Sequence, residues 1–229
     1  MGTFPYLVGP ADAYAASICR MHKAFIFPTF PGYVNPIALV PALQIPEEFS
    51  LMYHYPNASK AELVAGMRGT PWMSVSEDRL ASTLTDLRKQ GYDELISGAI
   101  ASEYQKTRLE KLCTEIGMVS FTPLWHKDQS DIIRELILRG IGAIIVSVSA
   151  EGFTEKDIGR SIDDDFLRDL ESRNKRYGIN IAGEGGEYES FVHYAYGCSI
   201  SISRSHKIWE GSHGYLIIDD AELVQSRVV

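Results

Sequence analysis

Cysteine is scarce in this sequence: three residues in 229, Cys19, Cys113 and Cys198, far apart and odd in number. No Cys-x-x-Cys or Cys/His spacing joins them, so neither a disulfide framework nor a zinc site is expected, and a reducing, cytoplasmic compartment suits the chain. No apolar run approaches the roughly 18 residues that a membrane span requires. The first residues, MGTFPYLVGPADAY, have no basic stretch ahead of an apolar one, so no secretory leader is expected. Clustered cations are also lacking. The formal net charge is −8, and the densest basic group, SRNKRYG at 172–178, is short. Nucleic-acid binding draws its affinity from grouped cations, so that partner is not expected. The short basic group instead suits the end of a helix, where cations meet the negative pole of its dipole. No Ser-His-Asp or Cys-His arrangement stands out, which leaves no case for a nucleophilic hydrolase.

What is present is an alternation of strand and helix patterns, with 45% hydrophobic residues to build a core. A strand at TFPYLV leads into a helix over 12–23, and AFIFPTF (24–30) reads as the next strand. Prolines 28, 31, 36, 41 and 46 make 28–48 an irregular excursion, after which FSLMYHY forms a strand ending at Pro56 and Asn57. Ser76 is a suitable N-cap for a helix running through Leu80, Leu84 and Leu87 to Gly91. ELISGAI is a short buried strand, and Ser102-Glu103-Tyr104-Gln105 has the form of a capping box opening a helix that ends near Gly117. Around FTPLW (121–125) the character changes. Asp128 caps a helix through Leu138, IGAIIVSVSA is a β-branched strand, and a helix from Asp163 to Tyr177 stops at Gly178. Short strands follow at GINIAG, SFVHYAY, SISIS and GYLIID. The expected fold is α/β, with a mostly parallel sheet in a domain over 1–120 and a smaller α/β domain over 121–229.

Two places have the residues for chemistry. At Ser97, Gly98 and Ala99 a strand gives way to a helix whose free amides suit an anion, and such junctions are where open α/β sheets bind ligands. On that helix Leu109, Leu112 and Ile116 form the buried stripe, while Tyr104 and Arg108, four apart, share an adjacent face. Arg108 can then grip a phosphate in bidentate fashion, with Tyr104 beside it. A surface arginine covering a tyrosine ring is the plainer reading. The second place is GEGGEYES (183–190), where three glycines let main chain approach a ligand closely and group Glu184, Glu187 and Glu189. Such carboxylates can hold Mg²⁺ against phosphates or act as a base, although a tight acidic hairpin has the same composition. His54, at the end of the FSLMYHY strand, lies on the ligand-facing edge of such a sheet or serves as a structural hydrogen-bonder. Trp125, His126 and Asp128 form a polar and aromatic group at the domain junction, with packing and helix capping as the alternative.

Four blocks in order, GAIASEYQKTRLE, TPLWHKDQSDIIRELI, VSVSAEGF followed by IGRSID, and GEGGEYESFV, resemble the diphthine-ammonia ligases. The likeness runs from about Leu51 to the carboxyl end. It implies a Rossmann-like nucleotide domain of the ATP pyrophosphatase group, followed by a domain that receives the substrate. The implied reaction turns the diphthine carboxylate on translation elongation factor 2 into an amide, with ATP, Mg²⁺ and ammonium, through an acyl-adenylate. Carried onto this chain, the resemblance places the nucleotide at Ser97, Gly98, Ala99, Tyr104 and Arg108, with His54 nearby. It places Glu184 and Glu187 at the reacting carboxylate or the metal, and Trp125, Asp128 and Glu189 toward the substrate.

The amino terminus departs from the family pattern. A loop of the form SGGKDS is expected after the first strand, and here the stretch is Val8-Gly9-Pro10-Ala11-Asp12-Ala13, keeping only Gly9 and Asp12 as nucleotide contacts. Pro10 has no backbone N–H, and the lysine is Ala11. Losing one preorganised donor costs roughly 10²- to 10³-fold in rate. Two readings therefore stand side by side: an active ligase whose loop is rebuilt by other residues, and a non-catalytic relative that binds nucleotide or the elongation factor. A tRNA-thiolating relative is disfavoured, since it would want paired cysteines and a basic face. The oligomeric state, homo-oligomer included, is left open by the sequence.

Overall fold

Leu80, Leu84 and Leu87 recur at helical spacing, and all three are buried on one face of a helix. That helix belongs to the first of two units into which the chain divides, the boundary falling between Trp125 and His126. The computed structural model describes residues 24–28, 38–40, 57, 60–67, 73, 75 and 77–225. The expected TFPYLV strand, the 12–23 helix, the FSLMYHY strand and the Ser76 cap lie outside the described residues.

In the first unit, strands β1 (Ala24–Pro28) and β2 (Ala38–Val40) pair antiparallel, so a short strand interrupts the proline-rich excursion. A short helix, α1 (Ala61–Met67), follows. A 3-10 turn at Glu77–Arg79 then leads into α2 (Leu80–Lys89), and the chain reverses through Gly91 at φ +100°. Strand β3 (Tyr92–Ile96), helix α3 (Glu103–Ile116) and strand β4 (Val119–Phe121) form a β-α-β crossover. Its two strands pair in parallel, Glu94 with Val119 and Ile96 with Phe121. The sheet order is β2-β1-β3-β4, and β1 pairs antiparallel with β3. Parallel pairing is therefore confined to β3 and β4 among the described residues. Leu84, Leu95, Leu109, Cys113 and Met118 form the core of this unit, with Leu112 and Ile116 packed at its margin. Each fully buried side chain of this size contributes roughly 1.5–3 kcal/mol.

The second unit opens with α4 (Gln129–Leu138), capped as expected: the Asp131 amide donates to Asp128 Oδ1 at 2.9 Å. After β5 (Gly142–Val148) comes α5 (Asp164–Tyr177), with Asp163 as its N-cap and Gly178, at φ +71°, as its C-cap. Lys175 and Arg176 of the basic group sit in its last turn. Ile132, Ile133 and Leu136 of α4 and Phe166, Leu167 and Leu170 of α5 are all buried.

The remaining strands fall at SFVHYAY, SISIS and GYLIID as expected but differ in length. β6 (Tyr188–Ala195), β7 (Cys198–Glu210) and β8 (His213–Gln225) close with β5 into an antiparallel barrel. Two-residue turns impose the antiparallel pairing of β6 with β7 and of β7 with β8, because only antiparallel neighbours can be joined so tightly. Tyr196 and Gly197, at φ +55° and +72°, supply the left-handed pair such a hairpin needs. β7 and β8 are each 13 residues long rather than short, and GINIAG forms turns instead of a strand. β6 meets β7 at Tyr194–Ser199 and Ala195–Cys198, so most of β7 pairs with β8 alone among the described residues. The β7–β8 register shifts on either side of Arg204. No helix among the described residues is long and apolar enough to cross a membrane.

Candidate functional site

In the first unit the chain leaves β3 through Ser97, Gly98 and Ala99 and enters α3 at Glu103. Ser97 and Ala99 are buried, at 2% and 5% exposure, so only small side chains fit there. Two amides of this junction are spent within the chain. Ser97 N–H donates to the Phe121 carbonyl at 2.9 Å, and Ala99 N–H donates to Ser97 Oγ at 3.3 Å. An incoming anion would therefore be met by the first turn of α3 and its side chains rather than by these two groups. On α3, Arg108 Nη1 donates to the Tyr104 hydroxyl at 3.1 Å, and Tyr104 is 53% exposed. The two residues share one face of the helix, as their spacing requires. Between them in sequence, and so on another face of the helix, Lys106 lies 5.2 Å from the centre of the Trp125 ring and bonds Glu110 at 2.5 Å. Ser97, Gly98, Ala99, Tyr104, Arg108 and Trp125 thus all belong to this unit. Gly9, Asp12 and His54 lie outside the described residues. Cys113, on the same helix, is no nucleophile: burial pushes its thiol up to about 11.

The glycine-rich loop belongs to the second unit, and it is held from several sides. Gly183 and Gly186 take φ +72° and +94°. The Gly183 amide donates to the Asn180 carbonyl at 3.0 Å, and the Gly186 amide to the Gly183 carbonyl at 3.2 Å. Asn180 Oδ1 accepts from the amides of Ala182 at 3.2 Å and Glu184 at 3.4 Å. Just after β5, the Ser149 amide donates to the Glu187 carbonyl at 2.9 Å, and the Ser149 hydroxyl bonds the Gly186 carbonyl. Gln129 Oε1, at the start of α4, also accepts from Ala182 N–H at 3.2 Å. Asp128 therefore sits one residue from the loop's anchor, its carboxylate engaged as a helix cap.

Glu187 folds back over Gly185. Its Oε1 accepts from the Asn180 amide at 2.8 Å, while Oε2 is buried with no protein partner. A buried carboxylate oxygen left without a donor is costly, and it is a hard ligand of the kind that Mg²⁺ selects. No group of three or more His, Cys, Asp and Glu suited to a metal exists among the described residues. Mg²⁺ bound with a nucleotide commonly uses one or two carboxylates together with phosphate oxygens, and Glu187 Oε2 is a donor atom of that kind. Glu189 lies on β6 opposite Ser147, which on its other side is opposite Tyr215 of β8. Burial first, then the charges of Glu189 and Glu210, push the Tyr215 phenol above its ordinary range, so it stays a neutral donor.

Sequence reasoning passed over Asn180 and Ser149, which hold the loop. Asn180 had a local signal: a short amide side chain just after a helix-stopping glycine favours turns that bond their own backbone. Ser149 had none, because its partner lies 37 residues away.

Residues 35–120 match the diphthamide synthase N-terminal domain, and residues 128–224 match the diphthamide synthase C-terminal domain. The chain belongs to the diphthamide synthase family. Between the two matched stretches falls the boundary between the two units. Family relatives include the diphthine–ammonia ligase of Schizosaccharomyces pombe, 41% identical over 97 residues, or 42% of this chain and 16% of that protein. The Homo sapiens diphthine–ammonia ligase is 37% identical over 107 residues, 45% of this chain and 39% of that protein. That of Saccharomyces cerevisiae is 34% identical over 111 residues, 42% of this chain and 16% of that protein. The matched stretch thus spans less than half the length of each of these relatives.

Proposed function

We propose that this chain is an ATP-dependent amide ligase that converts the diphthine carboxylate of translation elongation factor 2 to diphthamide, with ammonium as the nitrogen source. The observation that carries this reading is the match to both domains of one family, in order along one chain. In the proposed reaction a substrate carboxylate oxygen attacks the α-phosphorus of ATP and pyrophosphate departs. Ammonia then attacks the acyl carbon, the bond to AMP breaks, and the amide remains. Arg108 and Tyr104 would bind and orient phosphate oxygens, since a guanidinium matches their geometry. Glu184 and Glu187 would hold Mg²⁺, which screens phosphate charge, or would take the proton that ammonia loses on bonding. Trp125 and Glu189 would contact the protein substrate.

The altered stretch at Val8–Ala13 is what favours the non-catalytic reading, and the assay decides between the two. The test is AMP release by the purified chain with ATP, Mg²⁺, ammonium and diphthine-bearing elongation factor 2. AMP should appear only when all are present. Binding of ATP at micromolar strength, about −8 kcal/mol, without any AMP would overturn the ligase reading and leave a nucleotide-binding relative. Arg108→Ala should weaken nucleotide binding by about tenfold, the loss of one charge-assisted contact.

A further inference from the structure

Asp157 is 3% exposed, in the segment joining β5 to α5, and it is the hub of a closed circuit of side chains. Its Oδ1 accepts from Arg173 Nη2 at 2.7 Å and lies 3.5 Å from Arg160 Nη1. Its Oδ2 accepts from the Thr154 amide at 2.8 Å. Each arginine lies over an aromatic ring, Arg173 at 4.5 Å from the centre of Phe153 and Arg160 at 4.9 Å from that of Phe166. Both rings then meet the same third ring, Tyr188, at 5.8 Å and 5.9 Å, the latter edge-on. Tyr188 follows Glu187 directly, and its hydroxyl donates to the Ile181 carbonyl at 2.7 Å, across the base of the glycine loop. Asp157 thus bonds Arg173 directly and adds its charge beside Arg160, whose Nη1 donates to Asp169 Oδ2 at 2.5 Å, and through these two guanidinium groups it helps to clamp the tyrosine beneath the loop. Arg173 depends heavily on this contact, because its Nη1 is buried without a protein acceptor.

We propose that Asp157 is a positioning residue for the 183–187 loop, fixing Glu187 and Glu184 through Arg173, Arg160 and the Phe153–Tyr188–Phe166 cluster. The inference rests on the reading of those glutamates as facing the reacting group. It predicts that the effect of losing Asp157 reaches the loop, well beyond the turn that the aspartate caps. A group displaced by about 1 Å can cost on the order of 100-fold in rate.

The experiment compares Asp157→Asn with wild type and with Arg168→Ala, which removes an exposed Arg168–Asp165 pair on α5, the helix that carries Arg173. Hydrogen exchange at the amides of residues 184–187 is read alongside AMP release. In Asp157→Asn, loop exchange should rise by about tenfold or more, the mark of a lost local tether. Its kcat should fall by roughly 100-fold, well beyond any change in KM for ATP, since a group misplaced at the reacting centre lowers turnover more than binding. Arg168→Ala should match wild type in both. Faster exchange confined to residues 154–157 would overturn the proposal and reduce Asp157 to a local cap, and so would a looser loop with unchanged kcat. If Asp157→Asn does not fold, Arg173→Lys keeps the charge pair but loses the flat stack on Phe153, and it should loosen the same loop to a smaller extent. If wild type releases no AMP, the ligase reading fails by itself, and loop exchange alone decides whether Asp157 holds the loop.

Discussion

Two glycines of one loop should respond to the same substitution in opposite ways, and the difference can be worked out from their surroundings. At Gly183 the backbone has φ +72°, where a side chain costs roughly 1–2 kcal/mol. A Cβ there would lie 2.9 Å from the Tyr188 carbonyl oxygen and 3.2 Å from its ring. Neither can yield cheaply, because that ring is packed against Phe153 and Phe166. Movement would also weaken the Tyr188–Ile181 hydrogen bond, adding about 1 kcal/mol. Gly183→Ala should therefore lose about 2–3 kcal/mol in all, summing the backbone and hydrogen-bond costs. For a unit of this size that lowers Tm by roughly 10–20 °C.

At Gly185 the backbone needs no positive φ, and the nearest atom to an added Cβ is Glu187 Oε1, at 2.5 Å. This is the far end of a flexible side chain. It can swing into water at the cost of its bond to the Asn180 amide, about 1.5 kcal/mol at most once solvent replaces the donor. Gly185→Ala should thus fold nearly as well as wild type yet misplace the Glu187 carboxylate, and AMP release should fall far more than stability. Urea titrations of both variants, followed by the amidation assay, separate the two effects. The reasoning is refuted if Gly183→Ala lies within about 0.5 kcal/mol of wild type, the ordinary range of an innocuous surface change, or if Gly185→Ala proves the more destabilising of the two.

Two further outcomes are expected. Asp128→Ala removes the oxygen that caps α4 and should cost about 1 kcal/mol in urea unfolding, with the neighbouring Gln129–Ala182 contact loosened in hydrogen exchange. Burial holds His193 below its ordinary pKa of 6.5, so its contribution to stability is present above that value and fades as pH falls below it, when the unfolded chain takes up a proton that the folded one resists. The urea midpoint should drop between about pH 7 and pH 5, the window set by an ordinary histidine, and His193→Leu should flatten that drop.

Local features of the fold were legible because their causes are local. Asp128 and Asp163 precede apolar stripes and bond amides three residues on, and Gly178 supplies the left-handed stop; each pattern is complete within a few residues. The leucines of α2 declare their buried face by spacing alone. Strand pairing was not legible in the same way. Ser147 is flanked by Glu189 and Tyr215, and nothing within any one of these segments names its neighbours. The alternation of strand and helix suggested a mostly parallel sheet in the first domain, where the described strands pair in parallel at β3–β4, and the tight turns at Tyr196–Gly197 and Gly211–Ser212 settle β6, β7 and β8 of the second unit as antiparallel. Within the candidate site, Glu184, Glu187 and Glu189 stood out by composition. Their anchors did not, because Asn180, Ser149 and Asp157 act through main-chain and stacking contacts that only folding brings together.

The long β7–β8 ribbon has a consequence for the behaviour of the protein in concentrated solution. A strand that pairs on one side only offers its other side to any extended chain that drifts past, and many such encounters build fibrils. Here the exposed stretch is interrupted where the register slips around Arg204, and the same strand carries Lys207. A kinked, charged border cannot be copied by a flat neighbouring strand without burying cations or leaving amides unpaired. The ribbon is held at both ends, by β6 at Cys198 and Ser199 and by β5 at Gly214 and Tyr215, and the irregularity at Arg204 is a safeguard that makes the edge between them a poor template for self-association.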